Sequence, residues 1–149
     1  MKLVLPTPEE NELLLKWLQK RFGGGSVPCQ CFAVLDGKKL VGVVSFFNFR
    51  WPNIEIAFYC EDYRWALNRD GILELFAYPF VQLKCKRVTA LVERKNKKAR
   101  KMVQRLGFKE EGMLRKAGEK GDLFIYGLLP EELQLRKYHG KPARSTAPF

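Results

Sequence analysis

Histidine is almost missing from this chain. The single copy, His139, lies in a polar tail. Cysteine is sparse as well: Cys29, Cys31, Cys60 and Cys85, with only the first two close together. A zinc site needs four ligands at tight spacing, and this set does not supply them, so no metal is expected. Isolated thiols of this kind are expected to stay reduced, as in a cytosol. No apolar run reaches the eighteen or so residues that a membrane span requires. The opening MKLVLPTPEENE has no apolar stretch of the signal-peptide kind and turns acidic at once, so a cytoplasmic protein without a membrane association is expected. Acid is scarce too. Sixteen Asp and Glu stand against 27 Lys and Arg, which leaves 27 − 16 = +11. That excess favours polyanionic partners, whether nucleic acid, acidic protein or a cofactor with several phosphates, and says nothing about fold.

What is present is enough for one folded domain. The chain has 149 residues, 46% of them hydrophobic, which suffices for one core and is too short for two ordinary domains. Residues 7–22 read as a helix. Thr7 can cap it, Pro8 suits its first position, Glu9 and Glu10 suit its positive end, and Leu14, Trp17, Leu18 and Phe22 recur at helical spacing. Gly23, Gly24 and Gly25 end it in a mobile connection. Strands are expected over 31–35 and 39–47, joined by the hairpin signal Asp36-Gly37, and over 53–60. On that third strand Ile54, Ile56 and Phe58 face one way and Glu55, Ala57 and Tyr59 the other. A helix over 69–83, capped by Asn68 and kinked or shortened by Pro79, leads to a strand over 87–93 that can lie parallel to strand 53–60. After a last helix, strands over 108–115 and 122–129 close the pattern. The order indicates an α/β domain over 1–133, with residues 134–149 as a basic tail expected to be disordered. There is no internal repeat.

The last helix lies in NKKARKMVQRLGFKEEG, residues 96–112. Ala99, Met102, Val103 and Leu106 form one narrow apolar face, Asn96 can cap the start, and Gly107 stops the end. Eight basic residues and no acid lie between Arg94 and Lys109. A solvated face is the ordinary reading of such a run. The free N–H groups at the helix start also suit an anion. Contact with nucleic acid stays open for phosphates, although the only aromatic there is Phe108, which weighs against base stacking. Another feature is Phe46-Phe47-Asn48-Phe49-Arg50-Trp51. It holds too many aromatics for one strand face, which suggests core plus a loop cover, an acceptor-site wall or a dimer contact.

Asn96 with Ala99, Arg105-Leu106-Gly107-Phe108, and Glu111-Gly112-Met113-Leu114-Arg115 follow one another in an order that resembles the GNAT superfamily of N-acetyltransferases. Leu75-Phe76-Ala77-Tyr78-Pro79-Phe80, Arg87-Val88-Thr89-Ala90-Leu91-Val92 and the closing DLFIYGLL also look like that family. The likeness spans residues 31–133. It is nearest the branch that acetylates protein N-termini, ribosomal proteins and small amines, and the compact Tyr78-Pro79-Phe80 form is similar to copies carried by phages and prophages.

The resemblance implies a mixed central sheet of about six to seven strands, a parallel pair at a V-shaped gap, and helices on both faces. It implies acetyl-CoA as co-substrate and direct transfer to an amine of a protein or small molecule. The cofactor-binding residues it implies are Ala57, Phe58 and Tyr59 on the first gap strand, Arg64, Asn68 and Arg69 before and at the first core helix, and Asn96, Lys97, Ala99 and Arg100 at the last. Glu55 is the implied base, and Tyr59, Tyr126 or a water the proton donor, because Val103 stands where many members have a tyrosine. One departure is plain. The family's glycine-rich pyrophosphate loop reads DYRWALNRDG here, with Trp65, Ala66 and Leu67 where glycines are expected, and Arg64 and Arg69 can substitute guanidinium–phosphate bonds. A low-pKa α-amine is the acceptor expected for such a site. The alternative is a lapsed member of the fold that holds RNA, DNA or an acidic protein on its basic surface. The chain is expected to be a monomer or homodimer.

Overall fold

The computed structural model describes residues 1–22 and 28–135. The expected glycine connection and nearly all of the basic tail lie outside the described residues. The elements are β1 (Lys2–Val4), α1 (Pro8–Phe22), β2 (Pro28–Asp36), β3 (Lys39–Arg50), β4 (Asn53–Cys60), a 3-10 turn (Arg64–Leu67), α2 (Arg69–Ala77), β5 (Arg87–Glu93), α3 (Lys97–Leu106), β6 (Lys109–Gly118) and β7 (Gly121–Leu128). The strands form one seven-stranded sheet in the order β1-β2-β3-β4-β5-β7-β6. Only β4 and β5 are parallel; the other neighbours are antiparallel. The expected α/β class and parallel pair are therefore present.

Alternation along the strands makes two buried faces. Cys31, Ala33 and Val43 meet Leu14 and Leu18 of α1 on one side. Phe32, Val34, Val44, Phe46, Ile54, Ile56, Val88 and Ala90 meet α2 and α3 on the other, through Ile72, Leu75, Phe76, Met102, Val103 and Leu106. Phe46 lies at the centre of this side, edge-on to Phe32 and Phe76 at 6.1 and 6.5 Å.

The ends of the helices follow their capping residues. The Thr7 hydroxyl accepts from Glu10 N, and the Glu10 carboxylate accepts from Thr7 N, a reciprocal pair that starts α1. Asn68 starts α2 by accepting from Gly71 N. The helix expected over 69–83 divides at Pro79. Its α part ends at Ala77, and Tyr78–Gln82 winds as a π turn, because proline offers no N–H and its ring crowds the carbonyl of the preceding turn. β1 was not expected: only its central Leu3 is buried, and three residues carry no readable alternation.

Gly107 ends α3 with φ of 106°, and a Cβ there would run into the Glu132 carbonyl oxygen. The segment after β7 folds back at that point, with Gln134 N donating to Leu106 O at 2.8 Å. Gly37, in the β2–β3 turn, has φ of 62° and open space around it. Gly37→Ala should therefore cost only the left-handed backbone penalty, about 1–2 kcal/mol. Gly107→Ala adds overpacking against backbone and should cost about 3–5 kcal/mol in urea unfolding. Equal costs at the two positions would contradict this reading of the α3 end.

Candidate active site

β4 and β5 pair only from Asn53↔Arg87 to Ile56↔Ala90. Past that point each strand stays with its other neighbour. Residues 57–60 of β4 remain on β3, through Ala57↔Ser45, Phe58↔Val44, Tyr59↔Val43 and Cys60↔Gly42. Residues 91–93 of β5 remain on β7, opposite Ile125, Phe124 and Leu123. The two strands thus part and leave a wedge, along which residues 57–60 of β4 are not laddered to β5. A backbone edge of this kind can pair with an extended, amide-bearing ligand as an added strand would.

α3 begins at the open end of the wedge. Asn96 N donates to Glu93 O at 2.9 Å, and the Asn96 side chain accepts from Ala99 N at 3.2 Å. The Tyr63 hydroxyl, from the far side, meets the same Asn96 side chain. Burial raises the pKa of Tyr63, with Cys60 adding to the effect, so the phenol stays protonated at neutral pH. Ala99 is buried, and Lys97 is exposed on the first turn.

The segment Arg64–Leu67, where the family resemblance led to the expectation of a glycine-rich loop, is a closed 3-10 turn. Ala66 N donates to Tyr63 O, Asn68 N to Trp65 O, and Arg64 N to the Asp62 carboxylate. Trp65 is fully buried and stacks on Phe58 at 6.1 Å. These donors are satisfied within the protein, so the turn presents side chains where a glycine loop would present bare N–H groups. Arg64 is exposed and paired with Asp62 at 2.8 Å. The Asp62 carboxyl is held below its usual range, first by the Arg64 backbone N–H and also by the Arg64 guanidinium and Lys98. Arg69 is half-buried, and its Nε is buried without a hydrogen-bond partner. Burial pushes the neighbouring Cys60 thiol up to about 12, which leaves it un-ionised and unreactive.

Between this turn, α2 and α3 lies a cavity of about 690 Å³. Arg64, Arg69, Lys98, Lys101 and Arg105 rim it, Glu61 and Asp62 stand on one side, and Tyr63, Ile72, Met102 and Leu106 supply an apolar floor. Lys98, Lys101 and Arg105 were not singled out from the sequence. Their i, i+3, i+7 spacing beside Met102 and Leu106 was the available signal, hidden within a longer basic run.

The other expected site residues are distributed as follows. Ala57, Phe58 and Tyr59 lie on β4 past its last pair with β5. Glu55 and Tyr59 share the sheet face that α1 partly covers. Glu55 lies in register with Thr89 and accepts from the Asn48 side chain at 2.8 Å. Burial raises the pKa of Tyr59, with Cys31 adding to the effect. Tyr126 is on the opposite face, in register with Ala90 and fully buried. Arg100 points away from the cavity: its Nε donates to Tyr126 Oη at 3.1 Å, and its guanidinium lies 4.3 Å over the Phe124 ring. Asn68 is occupied in capping α2. Among the described residues there is no cluster of His, Cys, Asp and Glu able to hold a metal, and no helix long and apolar enough to cross a membrane.

Comparison with known proteins bears on this arrangement. A family model described as an acetyltransferase (GNAT) domain matches residues 1–109. Among solved structures, a spermidine N-acetyltransferase chimera of Vibrio cholerae SpeG and hSSAT is 18% identical, over 87% of this chain and 96% of that one, with a TM-score of 0.59. The ribosomal-protein-S5-alanine acetyltransferase of Vibrio fischeri is 21% identical, over 85% and 72%, with a TM-score of 0.60. Mycobacterium smegmatis RimJ, in complex with CoA-disulfide, is 21% identical, over 82% and 62%, also at 0.60. At these identities the likeness is one of fold. No curated protein matches the chain.

The buried indole and the helix cap should differ in their effect on stability. Trp65→Ala should cost about 3–5 kcal/mol, as for a large core side chain, and Asn96→Ala about 1 kcal/mol, as for a lost cap. Urea titration of both variants checks this. A Trp65→Ala variant as stable as the parent would mean that the turn is not anchored by its indole.

Proposed function

The chain belongs to the GNAT acetyltransferases, and from that premise we propose that it moves the acetyl group of acetyl-CoA directly to an amine, on a protein N-terminus or a small molecule. The observation that carries this reading is the parting of β4 and β5 beside a cation-rimmed cavity and the capped start of α3. The residues present fit a polyphosphorylated, amide-bearing ligand. Five cations converge on one cavity, an Arg69 nitrogen is buried without a hydrogen-bond partner, and the β4–β5 ladder stops after Ile56 and Ala90. No observation favours the alternative of a lapsed fold that only binds.

In this proposal the backbone of Ala57, Phe58 and Tyr59 would hold the pantetheine. Arg64, Arg69, Asn96 and Lys97, with Lys98, Lys101 and Arg105, would hold the phosphates. Asn68 and Ala99 act indirectly, the first by fixing the start of α2 and the second by keeping α3 close to the sheet. Arg100 contributes by fixing the Tyr126 hydroxyl. Bound acetyl-CoA would supply an acetyl group already activated as a thioester. The protein's own part is to position the amine, exclude water and move protons. Glu55, held in one orientation by Asn48, takes the proton of the incoming ammonium group, directly or through one water. When the amine's new C–N bond forms, the thioester C–S bond would break and the coenzyme A thiolate would leave; Tyr59 is the first choice of proton donor to that thiolate, because its raised pKa keeps it protonated and it shares a face with Glu55. Tyr126, fully buried and bound by Arg100, is the second choice.

Two kinetic outcomes follow. Glu55→Gln should lower kcat about 10²- to 10⁴-fold, the usual worth of a positioned base, with little change in KM for acetyl-CoA. An unchanged kcat would remove Glu55 from the mechanism. The acceptor preference follows from neutral amine content. At pH 7 an α-amine is about one-tenth neutral, whereas a lysine amine is neutral in about one molecule in 2,500. Peptides with a free N-terminus should therefore outpace N-blocked peptides carrying an internal lysine, with rates rising up to about pH 8. A preference for the lysine peptides would refute the α-amine assignment.

A further inference from the structure

The end of the sheet away from the wedge carries a second surface. β3 and β4 are joined there by Trp51-Pro52, with Arg50 and Asn53 in register across the turn. Phe49 and Trp51 are 42% and 59% exposed, unusual for an aromatic pair with core on either side in the chain. Trp51 is nevertheless held firmly. Its indole N–H donates to Lys84 O at 3.2 Å, and the Lys86 ammonium lies 5.4 Å from the ring centroid. Lys86 N in turn donates to Pro52 O at 2.9 Å, which ties the loop before β5 to the hairpin. The result is a fixed, half-exposed indole with a cation against it.

The charge around it has one sign. Arg50, Lys84 and Lys86 are all exposed. No acidic residue occurs in 46–54 or 81–92, the segments that build this end. Arg87, the next cation, is half-buried and neutralised by Glu111 at 2.7 Å, so it adds nothing to the patch. A solvated basic face needs no rigid aromatic, and an apolar dimer contact would not carry three cations that have no acidic partner among the described residues around its centre. Rigid π faces interleaved with cations are what single-stranded nucleic acid requires: bases stack on the rings and phosphates meet the charges. We propose that the β3–β4 hairpin and the loop before β5 form a docking surface for single-stranded nucleic acid, with Trp51 and Phe49 as stacking platforms and Arg50, Lys84 and Lys86 as phosphate contacts. This surface is separate from the basic α3 run, which has no exposed aromatic. It lies at the opposite end of β4 from residues 57–60, so an occupant would leave the wedge open.

Fluorescence anisotropy with a labelled twelve-nucleotide oligo-U, and with oligo-dT and a duplex of the same length, tests the proposal on the full chain. The expected result is salt-sensitive binding of both single strands, weaker for the duplex. Trp51→Ala should weaken oligo-U binding tenfold or more, as stacking losses do. The double charge reversal Arg50→Glu with Lys86→Glu keeps both aromatic rings and should abolish binding, so the proposal remains testable if Trp51→Ala fails to fold. Three results would overturn it: no binding at low salt, binding weakened only by substitutions on α3 such as Lys97→Ala, or displacement by poly-glutamate with no dependence on Trp51. The last would mark general polyanion or acidic-protein attraction. Acetyl transfer is read separately, so failure here leaves the enzymatic reading untouched.

Discussion

The parting of β4 from β5 after Ile56 and Ala90 is the constraint on which the rest of the molecule depends. Two parallel strands would ordinarily pair to their ends. Here each has a stronger antiparallel commitment on its other side, and sheet twist carries the two ladders apart. The crossover through α2 is needed to bring β5 back parallel to β4, and it also places the start of α2 at one side of the wedge. β5 then delivers Asn96 and α3 to the other side. Gap, cavity and helix start therefore arise from one topological event.

The closed turn beside the gap changes how such a site can hold a phosphorylated ligand. A glycine loop offers preorganised backbone donors. The turn at Arg64–Leu67 instead puts an indole into the core and engages the Arg64, Ala66 and Asn68 N–H groups within the protein, which gains packing and leaves those donors unavailable to a ligand. What remains for an anion is a set of long cationic side chains around an apolar floor. Attraction of that kind is longer in range, less directional and more easily screened than a backbone cradle. The consequence reaches beyond one loop. The basic excess that first looked like a property of the whole surface is partly concentrated in Arg64, Arg69, Lys98, Lys101 and Arg105, around a single cavity.

Much of the fold was legible because its signals are local. Strand alternation at Asn53–Cys60, the cap at Asn96, the left-handed stop at Gly107 and the breaker at Pro79 each act within one turn or one strand. β1 was not legible, since three residues with one buried leucine carry no period. The candidate site was legible in part. Asn96, Arg64 and the β4 residues follow from motif order. The joining of Lys98, Lys101 and Arg105 with Arg69 depends on how α3 lies against α2, a tertiary fact. Glu55 and Tyr126 illustrate the limit differently. Each position reads plainly as strand, yet their separation onto opposite sheet faces depends on register across β4, β5 and β7, which no single strand encodes.

The central claim is that the wedge and its cation-rimmed cavity hold acetyl-CoA through side-chain charge. Calorimetric titration of the purified protein with acetyl-CoA, at low and at moderate salt, with Arg69→Ala alongside, tests it most directly. The account predicts micromolar binding that weakens as salt rises and weakens again when Arg69 is removed. Absence of binding at both salts, or binding indifferent to salt and to Arg69, would contradict it.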